Sequence, residues 1–215
     1  MERTLRKRIL EASYEANACH ISSALSCIDI LISLYFKVLK KGDRFIYGKV
    51  SGVAALYVVL AEKGIIPKEK IAYYLRKYPL PSKKVPGILH GIGSLGHGLP
   101  FAVGLALSNR KRNVYLLMSD GEIQEGTTWE SLLFARHHKL KNLKVIVDRN
   151  GLQALGKTED IIGIKKGLEL LKQLFPIKVV ETVKGKGVPW MENKVEWHYF
   201  NIDETRLEKA LLCLS

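Results

Sequence analysis

The sequence predicts an α/β fold in which a parallel sheet is flanked by helices. Residues 114–118 and 144–147 form two apolar runs, and runs apolar on both faces suit strands buried in a parallel sheet. Between them Trp129, Leu132, Leu133, Arg136 and Leu140 follow helical spacing, giving a strand–loop–helix–strand unit. The first third of the chain also carries apolar positions three or four apart, the mark of amphipathic helices around a core.

In chain order, that periodicity predicts helices over 3–17, 26–39 and 54–63. Residues 44–47, between Gly42 and Gly48, read as a strand. A further helix over 68–77 begins after Pro67 and stops before Pro79 and Pro81. Residues 79–98 hold three prolines and five glycines, too many for a regular element, so they form a long loop. Pro100 suits a helix start, and 101–107 continue that helix with Ala102, Gly104 and Ala106 permitting close packing. Thr127-Thr-Trp-Glu130 offers a capping box for the next helix. Residues 177–183 supply another strand, and 204–212 a closing helix. A parallel crossover of this kind is right-handed, and its ligands bind at the carboxyl ends of the strands. Asp120 and Asn150 fall there.

The 215 residues are 47% hydrophobic, enough for a full core, and with no visible linker or repeat a single domain over 1–215 is expected. Lys and Arg number 34 against 21 Asp and Glu, a formal charge of +13 that attracts phosphate-bearing ligands or acidic partners. The cations are scattered, without an Arg run or aromatic interleaving, which argues against nucleic acid. Cys19, Cys27 and Cys213 lack disulfide or zinc spacing, pointing to a reducing cytoplasm. The apolar run 28–36 contains Asp29 and is far shorter than the roughly 20 residues of a membrane span. No membrane role is expected.

An aspartate followed by glycine just past a buried strand sets a carboxylate and a backbone N–H at the mouth of the sheet. Magnesium takes oxygen ligands and completes its shell with phosphate oxygens, so one carboxylate and one or two neutral oxygens suffice. Asn150 after Val145-Ile-Val-Asp-Arg149 offers an amide oxygen at the adjacent strand end, and the Gly151-Leu152 turn can aim a carbonyl inward. The candidate metal ligands are therefore Asp120, Asn150 and the Leu152 carbonyl.

Ser119-Asp-Gly-Glu-Ile-Gln-Glu-Gly126, Trp129-Glu130 and Asp148-Arg-Asn-Gly-Leu-Gln153 together resemble the thiamine diphosphate motif of transketolases. Likeness to that family extends to Gly93-Ser-Leu-Gly-His-Gly98, to residues 55–64, to Thr182-Val-Lys-Gly-Lys-Gly-Val188, to residues 191–193 and to Trp197-His198, covering most of the chain in order. The resemblance implies the thiamine-diphosphate-binding, diphosphate-domain fold, with thiamine diphosphate held through Mg2+, or Ca2+ or Mn2+ in its place. Gly93, Ser94 and Leu95 would pack beside the cofactor's pyrimidine and diphosphate, and Gly121 would donate to the diphosphate. Glu125 would join a carboxylate network between paired active sites. His20 would contact the sugar near the reactive carbon, and His198 would lie near diphosphate and substrate. Both imidazoles would serve as donors or proton carriers, while Lys184 and Lys186 could attract phosphate.

Family members add a pyrimidine-binding domain and a C-terminal domain. A second polypeptide carrying the pyrimidine-binding domain is therefore expected, most simply in an α2β2 heterotetramer acting on sugars or sugar phosphates. Three features depart from the family. Gly48-Lys-Val-Ser51 stands where the family has Ser-Lys-Gly-His, so Ser51 replaces an imidazole. Residues 78–87 are short and lack the donor loop's Gly-His-Pro, while His90 stands where small hydroxyl residues are usual. Residues 161–176 are contracted. The resulting expectation is an N-terminal subunit that transfers a two-carbon ketol unit from a ketose to an aldose. Decarboxylative ketol formation of the deoxyxylulose-phosphate synthase type, or a non-catalytic scaffold role, are the alternatives.

Overall fold

The computed structural model describes residues 1–215, whose regular elements run in the following order. The first half holds α1 (Glu2–Ala16), α2 (Ile21–Ser33), β1 (Arg44–Tyr47), α3 (Val53–Glu62), α4 (Ile71–Lys77) and α5 (Gly98–Ser108). The second holds β2 (Val114–Ser119), α6 (Gly126–His137), β3 (Leu143–Arg149), β4 (Leu152–Gln153), β5 (Gly156–Lys157), α7 (Thr158–Ile161), α8 (Lys165–Leu174), β6 (Ile177–Glu181) and α9 (Glu204–Cys213). Two compact units result, the first comprising Met1–Leu39, Ser51–Gly91 and Thr182–Ser215, the second Lys40–Val50 and Ile92–Glu181.

The second unit contains the sheet, in the order β1-β2-β3-β6 and parallel throughout. Leu116, Leu117 and Met118 are all buried, as expected for a strand covered on both faces. Ile46, Leu116, Met118, Val145 and Val147 form a core with Leu99, Ala102 and Ala106 of α5, Leu132 and Ala135 of α6, and Leu168 and Leu171 of α8. Small residues on α5 let it lie close. A Cβ on Gly98 would stand 2.5 Å from Gly48 Cα and 3.2 Å from Leu116 Cδ1, so only glycine permits this approach to the exit of β1. α5 starts two residues before Pro100, which sits in the first turn where its missing N–H has no helical partner.

Between β2 and β3 the structure departs from the sequence expectation at two points. The capping box lies at Ser119 and Glu122, around a 3-10 turn at Asp120–Gln124, rather than at Thr127–Glu130. α6 already begins at Gly126, and the Thr128 hydroxyl inside its first turn donates to the Glu122 carbonyl (2.6 Å). α6 also ends before Leu140, with Lys139 left-handed (φ 51°) and Leu140 N–H returning to Ala135 O (3.0 Å). The contracted segment 161–176 folds into α8, whose Leu168 and Leu171 face the core and whose Gly167 admits the Trp129 ring.

The first unit is helical. α2 is nearly all buried, and with the π-turn at Leu34–Val38 it forms one helical stretch, Ile21–Val38, long and apolar enough to cross a membrane. Two-thirds of that stretch is buried inside the protein. Its Asp29 is paired with Arg6 (2.7 Å) and Lys186 (2.8 Å).

Candidate active site

Parallel pairing sets Ser119 beside Asp148, so β2 and β3 end side by side and the residues that follow them meet. Asp120 is 1% exposed. Its Oδ1 accepts from Gly121 N (3.0 Å) and its Oδ2 from Gly151 N (2.7 Å), binding the two strand ends together. Asn150 folds back as an Asx turn, its Oδ1 accepting from Leu152 N (3.1 Å). Thus Asp120, Gly121, Asn150 and Leu152 are brought into one constellation. Burial, aided by the Asp148 carboxylate, pushes the Asp120 carboxyl up to about 6, against the lowering effects of its backbone donors and of Lys49. No side-chain cation pairs with Asp120. A buried carboxylate without an ion pair, next to a neutral amide oxygen, is a donor set that fits a hard divalent cation.

Two groups that sequence reasoning passed over sit beside it. Lys49 and Asp148 form an ion pair buried at 1% and 0% exposure. Glu122, equally buried, accepts from Ser119 N (2.6 Å), Ser119 Oγ (3.0 Å) and Gly96 N (3.2 Å). This ties the 93–98 loop to the strand end. Gly96 is left-handed (φ +77°), and a Cβ there would meet Thr127 Oγ1 at 2.5 Å and Glu125 Cβ at 2.8 Å. Glu125, the N-cap residue of α6, therefore stands directly against the loop. Gly93, Ser94 and Leu95 precede that anchor on the exposed surface of the same unit. The buried acid inside the apolar run 145–148 was the available signal for Asp148; Glu122 gave none, since its burial depends on the turn.

Burial raises Glu122 to about 7 against its three hydrogen bonds. With Asp120 and Glu122 both above ordinary carboxylate values, the folded metal-free chain binds protons that the unfolded chain has released between about pH 4 and 7. Their contribution is therefore full below pH 4 and is lost as pH rises through the folded values, by on the order of 3 kcal/mol each. Asp29, lowered by Arg6 and Lys186 despite its burial, acts in the opposite sense. Comparison of wild type with Glu122→Gln isolates the effect: the Tm of wild type should fall more steeply between pH 4.5 and 7.5 in EDTA. Parallel Tm curves for the two proteins would refute it.

His20 and His198 come together within the first unit. Their rings are edge to face at 5.0 Å, and His20 N donates to His198 O (3.1 Å). His20 is left-handed (φ 64°) at the N-cap of α2, a conformation non-glycine residues seldom adopt outside tight sites. The buried Lys184 ammonium lies 2.8 Å from His198 Nδ1. An ammonium can only donate, so Nδ1 accepts and the His198 proton resides on Nε2. Burial first, and the Lys184 charge second, lower the His20 value, which favours neutral imidazole.

Residues 2–166 match the family described as transketolase, thiamine diphosphate binding domain. The chain is similar to one of the subunits of the apulose-4-phosphate transketolase of Actinobacillus succinogenes, 34% identical, with 92% of this chain and 88% of the relative aligned. Similarity to the subunit of the same name from Phocaeicola vulgatus is 32%, over 90% and 85%. Among solved structures, transketolase from Campylobacter jejuni superposes with a TM-score of 0.80 at 23% identity, covering 99% of this chain and 42% of that one. The chain thus spans about two-fifths of the length of that transketolase chain. By this match and these relatives, the chain belongs to the transketolase family and carries its thiamine diphosphate binding domain.

Proposed function

We propose that this chain is the N-terminal subunit of a two-chain enzyme that uses thiamine diphosphate and Mg2+ to move a two-carbon ketol unit from a ketose to an aldose. The observation that carries the reading is the pairing of buried Asp120 with the Asn150–Leu152 turn at adjacent strand ends. Asp120, Asn150 and the Leu152 carbonyl would hold the metal, and Gly121 N–H together with Gly93, Ser94 and Leu95 would receive the cofactor. When bound, thiamine diphosphate supplies the carbanion-stabilising centre for carbon–carbon cleavage. His198, its proton on Nε2, would donate to a ligand oxygen, and His20 in neutral form would orient a hydroxyl or take up its proton. Glu125 would contribute its carboxylate to a network between paired sites.

Support for a second polypeptide comes from the relatives aligned over 85–88% of their length, which are themselves transketolase subunits by name. A C-terminal partner carrying the pyrimidine-binding domain, in an α2β2 assembly, completes the reading. Purified chain and partner, mixed with cofactor, Mg2+ and a panel of ketose donors, should release the shortened aldose and form a lengthened ketose. Turnover that requires pyruvate instead would favour the decarboxylative chemistry, and no turnover with any ketose would sink the transferase reading.

A further inference from the structure

The end of the sheet opposite Asp120 has a chemistry of its own. β1, β2 and β3 are parallel and start in register, with Arg44 beside Val114 and Val114 beside Leu143, so the segments leading into them share one edge of the second unit. Those segments are 40–43, 109–113 and 138–142. They bring Lys40 and Lys41, then Arg110, Lys111 and Arg112, then Lys139 and Lys141 to that edge, every one of them exposed. Neighbouring strands lie about 4.8 Å apart, so the three strand entries fall within roughly 10 Å. The sequence shows these cations scattered and apart from aromatic residues, which reads against nucleic acid; the fold gathers both at one edge.

The charge there is one-sided. Asp43 is the one carboxylate in the three segments, and its oxygens are taken by Lys40 N (3.0 Å) and Asn113 Nδ2 (3.3 Å). None of the cations is in an ion pair. The loops that carry them are held to one another. Arg110 Nη1 donates to His138 O (2.9 Å), tying the second segment to the third. Buried Asn142 donates through Nδ2 to Ala106 O (2.9 Å) and Arg112 O (2.9 Å), and Lys139 is fixed in a left-handed turn (φ 51°). A surface ordered in this way loses less freedom on binding a polyanion.

Aromatic rings stand beside the cations. At the C-terminal end of α6 the Phe134 ring lies 4.2 Å from that of His138, and the His138 ring 5.0 Å from that of His137. Phe134 and His137 are exposed. Cations that follow phosphates, next to rings on which bases stack, are the combination that binds single-stranded nucleic acid. An acidic peptide would engage the cations alone.

We infer that the amino edge of the sheet is a binding surface for single-stranded nucleic acid, with Arg110, Lys111, Arg112, Lys139 and Lys141 contacting phosphates and the α6 rings contacting bases. β2 runs from Val114 to Ser119, and at about 3.3 Å per residue the edge stands roughly 16 Å from the strand end that leads to Asp120. The surface is thus separate from the cofactor site, and its occupation does not depend on the ketol-transfer reading.

Fluorescence anisotropy of the full chain with a labelled oligouridylate of about 20 nucleotides tests this. Saturable binding is expected, about 20- to 50-fold weaker at about 200 mM salt than at about 50 mM, as three or four phosphate contacts require. Arg112→Gln with Lys139→Gln should weaken it about 10-fold or more and lower the salt slope by about 1.4. Lys83→Gln with Lys209→Gln, the same charge change on the first unit, should leave it within about 2-fold of wild type. Phe134→Ala with His137→Ala should cost about 5-fold or more for oligouridylate and nothing for polyglutamate of equal charge. The substituted side chains are all exposed, so the variants keep the fold. Absent binding, an equal loss in the first-unit variant, unchanged binding in the edge or ring variant, or polyglutamate bound as tightly as oligouridylate would each overturn the assignment.

Discussion

Asp120→Asn is expected to remove metal-dependent thiamine diphosphate binding while leaving the fold intact. The substitution is isosteric and keeps one acceptor for the Gly121 and Gly151 N–H groups that Asp120 now serves. What it deletes is the only carboxylate in the proposed donor set. Loss of a group that merely supports a metal ligand weakens metal affinity about 10- to 100-fold, so loss of the charged ligand itself should exceed about 100-fold. The neutral side chain relieves the burial of a charge that carries no ion pair, which offsets the hydrogen bond that one of the two N–H groups loses to the amide NH2, so the metal-free variant should melt within a few degrees of wild type near neutral pH. Calorimetric titration of the two-chain complex with cofactor, in Mg2+ and in EDTA, reads the first effect; a melting curve reads the second. Equal cofactor affinity in wild type and variant would remove Asp120 from the site.

Lys49→Met is expected to act in the opposite way, on stability. The Lys49–Asp148 pair is buried on both sides, and removing one partner of such a pair costs about 3–5 kcal/mol because the other charge is left in a low-dielectric interior. For a chain of this size, each kcal/mol lowers Tm by roughly 2–4 °C, so a fall on the order of 10 °C should follow. Replacing both members, Lys49→Met with Asp148→Leu, should recover much of the loss, since a buried pair exchanged for apolar groups is close to neutral. Thermal denaturation of the three proteins checks this. A single variant as stable as wild type would show that Asp148 is compensated elsewhere.

Asp120 and Lys49 also mark the boundary of what the sequence makes legible. Asp120 and Asn150 stand in a local pattern, strand then turn, and each strand declares itself by an unbroken apolar run; the structure returns both runs as parallel neighbours. Lys49 and Asp148 are 99 positions apart, and only the fold brings them together. Glu122 looked like any acidic turn residue, yet the turn places it inside to hold Ser119 and Gly96. The capping pattern at Thr127–Glu130 matched in letters and not in place, because the same rule is satisfied eight residues earlier by Ser119 and Glu122. Segment 161–176, read as a shortening against the family, contains the helix α8 at Lys165–Leu174, with its apolar stripe at Leu168 and Leu171. The His20–His198 pair was legible as two separate candidates. Their contact, and the Lys184 ammonium that sets the His198 tautomer, come from the folded chain.

Anchoring of the cofactor through a divalent ion at the ends of β2 and β3 is tested most directly by anomalous scattering. Crystals of the two-chain complex grown with Mn2+ and thiamine diphosphate should show one manganese peak per copy of this chain, bonded to an Asp120 carboxylate oxygen, Asn150 Oδ1, the Leu152 carbonyl and the diphosphate. A manganese peak on other ligands, or bound diphosphate without metal at Asp120, would contradict that anchoring.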